Sequence, residues 1–252
     1  MNELTGKTAI ITGASKGIGA ATVKHFANLG VNVVMAARST DKLKALQDEL
    51  GSSKGKVLAH PCDVSSYSDV CGLIEACQEQ FGRLDILINN AGMIEPICHL
   101  ADSDPETWTR TADINYKGVY YGLRAALPVM LKQGKGVIIN ISSGAAVKAL
   151  EGWSHYCSSK AAVHSLTKCA DLEYKEQGIR ILALSPGTVA TDMQVAIKAS
   201  GVNPVSQLEV SDHIVPDDVG KALAWLCSDA AKDISGEDFQ LREEANRKLV
   251  GL

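Results

Sequence analysis

No basic run or stripe of the kind that binds nucleic acid occurs in this sequence. Lys and Arg number 25 against 29 Asp and Glu, for a net charge of −4. No stretch approaches the ~20 apolar residues that cross a bilayer. The opening sequence MNELTGKTAIITG lacks the basic start and long apolar run of a secretion signal. The expectation is a cytoplasmic protein without nucleic-acid or membrane partners. Cysteine occurs seven times, irregularly spaced and without a Cys-x-x-Cys pair, so reduced thiols packed as small hydrophobes are expected. Cys98-His99 has no second pair with which to close a zinc site, and no metal is expected. Neither a Ser/Gly/Pro-rich linker nor an internal repeat divides the chain. Residues 1–252 are read as one domain, large enough to bury a core without staples.

What is present is alternation. Apolar, β-branched runs at 7–12, 31–37, 56–60, 84–89, 136–142 and 179–185 read as strands buried on both faces. Amphipathic stretches at 17–29, 41–50, 66–81, 105–133, 154–177 and 216–228 read as helices, the fourth long enough to be two, split near Asn115. Gly30, Gly51 and Gly178 stand where helices end, and Pro105 and Pro216 where first turns begin. The order predicts right-handed βαβ units. The fold class is therefore α/β: a doubly wound, Rossmann-type parallel sheet of about seven strands, with helices on both faces. Residues 186–215, the least regular stretch, read as a functional loop.

Between the first strand and first helix stands Thr12-Gly13-Ala14-Ser15-Lys16-Gly17-Ile18-Gly19. Gly13 permits a tight turn, while Gly17 and Gly19 let a pyrophosphate approach the backbone at a helix N-terminus. Ser15 and Ile18 complete this candidate cradle, and the ending of a Walker loop is absent. The second strand ends in Arg38-Ser39 rather than in the acid that would accept a hydrogen bond from an NAD ribose. Arg38, with Lys16 from the glycine turn, could instead pair with a ribose 2′-phosphate, so the expected cofactor is NADP(H).

Tyr156 and Lys160 lie four apart and share a helix face. A tyrosine is a poor base at neutral pH, and an adjacent ammonium is expected to draw its pKa toward the working range. With the glycine turn, Asn89-Asn90-Ala91-Gly92, Ser143 upstream of Tyr156, and Pro186-Gly187, this pair makes the sequence resemble the short-chain dehydrogenase/reductase family over roughly residues 5–240.

The resemblance implies an oxidoreductase with Tyr156 as proton donor or acceptor and Ser143 bonding the reacting oxygen. It implies that Lys160 holds the nicotinamide ribose and that Asn115 supports a water chain to Lys160. It further implies cofactor contacts from Asp63, Val64, Asn90, Ala91, Gly92, Pro186, Gly187, Val189 and Thr191. Residues 235–243, reading Ser-Gly-Glu-Asp-Phe-Gln-Leu-Arg-Glu, depart from relatives by lacking a glycine pair, and run into a charged tail.

Ala145, Leu150, Trp153, Met193 and Ile94 are expected to line the substrate pocket. They are apolar and no cation accompanies them, which points to a neutral, hydrophobic carbonyl or alcohol substrate. Relatives commonly associate through the helices after Asn115 and around Tyr156, so a homodimer or homotetramer is expected. A regulatory protein that has lost catalysis would usually lack Tyr, Lys or Ser. A sugar-nucleotide epimerase or dehydratase would need more chain after the sixth strand.

Overall fold

The structure, a computed structural model, describes residues 2–252. The strands are β1 Thr8–Thr12, β2 Asn32–Ala37, β3 Val57–Pro61, β4 Ile86–Asn89, β5 Gly136–Ile141, β6 Ile179–Ser185 and β7 Asp238–Gln240. They form one sheet in the order β3-β2-β1-β4-β5-β6-β7, every pair parallel. The helices are α1 Gly17–Asn28, α2 Thr40–Glu49, α3 Tyr67–Phe81, α4 Pro105–Ala112, α5 Gly118–Gln133, α6 Ser154–Tyr174, α7 Asp192–Ser200, α8 Pro216–Leu226 and α9 Glu244–Val250.

Two cores explain the continuous apolar runs. Successive strand residues point to opposite faces. Ile11, Val33, Met35, Ile86, Ile88, Ile139 and Leu182 join the core with α1, α2 and α8. Ile10, Val34, Leu87, Ile138 and Ile181 join the one with α3, α5 and α6. Both faces are covered, so neither parity can be polar.

Strand order turns at β1 and β4, because β2 and β3 lie to one side and β5 to β7 to the other. The crevice for a ligand in such a sheet opens at this switch point, beyond the carboxyl ends of the strands. The glycine turn follows β1, residues 90–92 follow β4, and Ser143 follows β5, so the topology itself gathers these residues.

Two segments differ from the sequence reading. The stretch 105–133 divides into two helices near Asn115 as expected, but without a break: α4 passes into α5 through a π-helical turn, Asp113–Lys117, which holds Asn115. Residues 186–215 are not irregular, since α7 and two short 3-10 turns, Pro204–Gln207 and Val210–Asp212, occupy much of them. The charged tail forms α9.

Candidate active site

The glycine turn is clamped from β4. Thr12 Oγ1 accepts hydrogen bonds from Asn90 N (3.0 Å) and Ala91 N (3.1 Å), and Asn90 Nδ2 donates to Thr12 O (2.8 Å). Gly13 has φ +64°, and a Cβ there would lie 2.8 Å from Ala91 Cα. A Cβ on Gly19 would lie 2.2 Å from Gly13 O, so only glycine lets the start of α1 come this close. Among the described residues no side chain caps α1, which begins just after Ser15 and carries Ile18 in its first turn, so its first N–H groups lack intrahelical or side-chain partners. Lys16 is not free: its Nζ pairs with Asp192 Oδ2 at 2.9 Å, tying the turn to the first residue of α7. A Cβ on Gly17 would lie 3.1 Å from Thr191 Cγ2 in the same junction.

Arg38 and Ser39 stand exposed beyond β2. Asp63, beyond β3, is pushed up by burial. Hydrogen bonds from Ser65 N (3.0 Å) and Oγ (2.7 Å), with the charges of Arg38 and Arg110, outweigh this and hold its carboxyl below the usual range. Val64 is buried against Gly118 of α5.

The reacting residues lie on α6 and beyond β5. Tyr156 and Lys160 are both buried on the face of α6 turned to the sheet. Lys160 Nζ donates to Ile141 O at 2.6 Å and lies 5.7 Å from the centre of the Tyr156 ring. Ser143 Oγ accepts from Ala145 N at 3.2 Å and lies near enough to Tyr156 to lower its pKa. Ser142, pointing the other way, donates from Oγ to Asp238 Oδ2.

The Tyr156 pKa runs opposite to the sequence expectation. Burial pushes the phenol up to about 12, opposed by the Ser143 hydroxyl. Burial also brings Lys160 down to about 8, although the charge of Asp238 pulls it up. Both charged forms pay for leaving water, and the ammonium bonds a carbonyl rather than the phenol.

Asn115 is fully buried. Its Oδ1 accepts from Met93 N (2.8 Å), and its Nδ2 donates to Met93 O (2.8 Å) and Ser159 Oγ (3.3 Å). The widened π turn thus couples the segment after β4 to α6, near Gly92. On the far side Pro186 is buried, Gly187 takes φ +81°, and Val189 bridges to Ile214. The Arg242 stem fills the space a Gly187 Cβ would need.

Every residue expected to line the substrate pocket falls in one apolar cluster. Ile94, Ala145 and Trp153 are buried there with Tyr156, and Leu150 and Met193 pack against them. Trp153 meets the Tyr156 ring edge-on at 5.6 Å. Its Nε1 is buried without a hydrogen-bond partner among the described residues. Sequence reasoning missed Ile97, Ile197, Cys157 and Val205, which join the same cluster. Only the helical spacing of Met193 and Ile197 could have signalled any of them. His155, beside Tyr156, was also missed, and its Nε2 reaches Ile94 O at 2.6 Å, holding the segment after β4 to α6.

The short chain dehydrogenase family profile matches residues 7–200. The chain is 33% identical over 244 residues to 3beta-hydroxysteroid dehydrogenase 2 of Eggerthella lenta, covering 94% of each protein. It is 35% identical over 223 residues to glycine betaine reductase ATRR of Emericella nidulans. That match covers 88% of this chain but only 18% of the relative's length. Among solved structures, an NAD+-bound xylitol dehydrogenase superposes with a TM-score of 0.89 at 25% identity, over 95% of this chain and 98% of that one. The chain belongs to the short chain dehydrogenase family of oxidoreductases, which bind a nicotinamide cofactor.

Proposed function

We propose that this protein is an NADP(H)-dependent oxidoreductase interconverting a neutral, hydrophobic ketone and its secondary alcohol. The observation that carries this reading is the convergence of Tyr156, Lys160 and Ser143 at the end of β5, beside the glycine turn and the apolar cluster.

The crevice fits a dinucleotide, because Gly13 and Gly19 let the turn and the start of α1 pack tightly against β4's end, and because α1 presents uncapped N–H groups. Gly13, Ser15, Gly17, Ile18 and Gly19 would hold the pyrophosphate, and Asp63 and Val64 the adenine. Asn90, Ala91 and Gly92 would hold one ribose, with Tyr156 and Lys160 at the other. Pro186, Gly187, Val189 and Thr191 would hold the carboxamide. Bound there, the nicotinamide supplies or accepts the hydride.

Tyr156 gives its phenolic proton to the carbonyl oxygen in reduction and takes it back in oxidation. A phenol raised to about 12 keeps that proton in place until the oxygen becomes basic. Ser143 already accepts from Ala145 N, so its hydroxyl hydrogen is available to donate where negative charge develops. The Lys160 ammonium stabilises the phenolate left behind. Asn115 positions Ser159 and the wall at Met93 rather than touching substrate.

Arg38 supports the choice of NADP. It stands where an NAD site has an acid, and its fork suits a phosphate. Lys16, already held by Asp192, adds less. The apolar cluster supports a hydrophobic substrate, and the Eggerthella relative's name, a hydroxysteroid dehydrogenase, agrees with it. Exposed Tyr116 and Tyr120 next to α5's start and Leu172 on α6 support a homodimer or homotetramer through those helices.

Oxidation of NADPH followed across a panel of neutral ketones tests the reading, with Tyr156→Phe as control. The substitution is expected to lower kcat by about 10²–10⁴-fold while NADPH still binds. A variant keeping more than half the rate where chemistry limits turnover would remove Tyr156 from its role.

A further inference from the structure

The strand beyond the active site carries a buried acid that the mechanism above does not use. Asp238, on β7, has a side chain only 7% exposed. Its position follows from register. Asn140 of β5 pairs with Ala183 of β6, and Ala183 pairs with Asp238. Paired residues of parallel strands share a face, and Ser142, two residues past Asn140, shares it too. Ala183 is small, so the carboxylate can cross over it to reach Ser142, whose Oγ donates to Oδ2 at 2.9 Å. The adjacent Ile141 carbonyl is the one that Lys160 Nζ holds at 2.6 Å. Helix α6 covers this face: His164, one turn beyond Lys160, brings Nδ1 to 3.7 Å from Asp238 Oδ2.

The other carboxylate oxygen, Oδ1, is buried with no hydrogen-bond partner among the described residues. A buried carboxylate left partly unsatisfied costs stability and calls for a compensating charge nearby. Around Asp238 the charged or titratable groups are His164 and Lys160 on α6, with Ser142 and Gln240 as neutral partners. Around Lys160 they are Tyr156 on its own helix and Asp238 from the sheet. Ser143 on β5's end and Asn115 and Ser159 nearby are neutral.

We propose that Asp238, held by Ser142 beneath α6, is the counter-charge of the Lys160 ammonium and so a positioning residue for proton transfer at Tyr156. This rests on the reading of Lys160 given above. Burial works against the ammonium, and Asp238 offsets part of that cost without touching substrate or cofactor.

The test is the pH profile of kcat/KM for ketone reduction in wild type, Asp238→Asn and Asp238→Val, with NADPH affinity measured alongside. Asn keeps an acceptor for Ser142 and loses the charge. Val is a strand former that needs no partner of its own, and gives the same loss of charge if Asn fails to fold. Either is expected to shift the alkaline limb about one pH unit toward acid. Above both limbs that is a roughly tenfold lower kcat/KM, converging with wild type at acid pH.

An alkaline limb that superposes on wild type overturns the proposal. So does a shift confined to the acid limb, which would assign Asp238 to His164. Lys160→Met separates the two levels. If it stays active, the role given to Lys160 is wrong; if it is inactive while the Asp238 variants keep the wild-type limb, only the role of Asp238 falls.

Discussion

At the scale of single residues, cofactor preference turns on Arg38. The guanidinium stands exposed at the tip of β2, with Asp63 as the acid whose charge it offsets. A 2′-phosphate would gain charge-assisted contacts of about 1.5–3 kcal/mol from such a fork, or roughly tenfold to a hundredfold in preference. Wild type is expected to favour NADPH over NADH by at least tenfold in kcat/KM, and Arg38→Asp to reverse the order. Lys16→Ala should cost less, because Lys16 is already paired with Asp192 across an exposed contact. Rising salt should narrow the wild-type preference. Equal rates with the two cofactors at low salt would make Arg38 a surface charge only.

The same scale shows where sequence reasoning stopped. The residue types and spacing of Tyr156, Lys160 and Ser143 were legible, and the topology brings them together. The direction of the Tyr156 shift was not, because it depends on how deeply α6 is buried, which spacing does not encode. Asp238 was invisible for a related reason: its nearness to Ser142 exists only through the order β5-β6-β7.

At the scale of elements, the turn after β1 is the most constrained. Gly19 sits on α1 with its α-carbon against Gly13 O, where a Cβ would come within 2.2 Å of a backbone atom. No flexible side chain is there to yield. Gly19→Ala is therefore expected to push α1 off the turn, destabilising the fold by about 1–3 kcal/mol and weakening dinucleotide binding more than the stability loss explains. Thermal unfolding and NADPH titration check both parts, and an unchanged Tm with full affinity would contradict the contact. Strands and most helices were readable because their burial is written as unbroken apolar runs and as 3.6-residue periodicity. Helix α7 was not, although Asp192 opens it and Gly201 closes it in the left-handed conformation, because it is short and lies in a stretch read as loop. The π turn at Asn115 leaves no periodic mark, since it inserts one residue per turn into an otherwise continuous helix.

At the scale of the whole molecule, burying an ionisable pair under α6 links stability to pH. Lys160 falls from the ordinary lysine range to about 8 on folding. Between that value and 10.5 the unfolded chain binds a proton that the folded chain does not, so stability rises with pH across this window. Below it both states are protonated, and the cost of the buried ammonium is fully present. Tyr156 acts in the opposite sense and at higher pH. Its raised pKa stabilises the fold below 10 and loses that effect as pH climbs toward about 12. Comparing wild type with Lys160→Met removes the lysine contribution and leaves that of Tyr156 in both proteins. The methionine variant should be most stable relative to wild type near pH 7. That advantage should shrink above about pH 8 and on toward pH 10, where the folded lysine is neutral like the methionine. Losing the hydrogen bond to Ile141 O is an offset that does not vary with pH. Denaturant unfolding of the two proteins from pH 7 to 10 measures the difference. A gap that stays constant would mean that Lys160 keeps an ordinary pKa, and that α6 buries its ammonium without penalty.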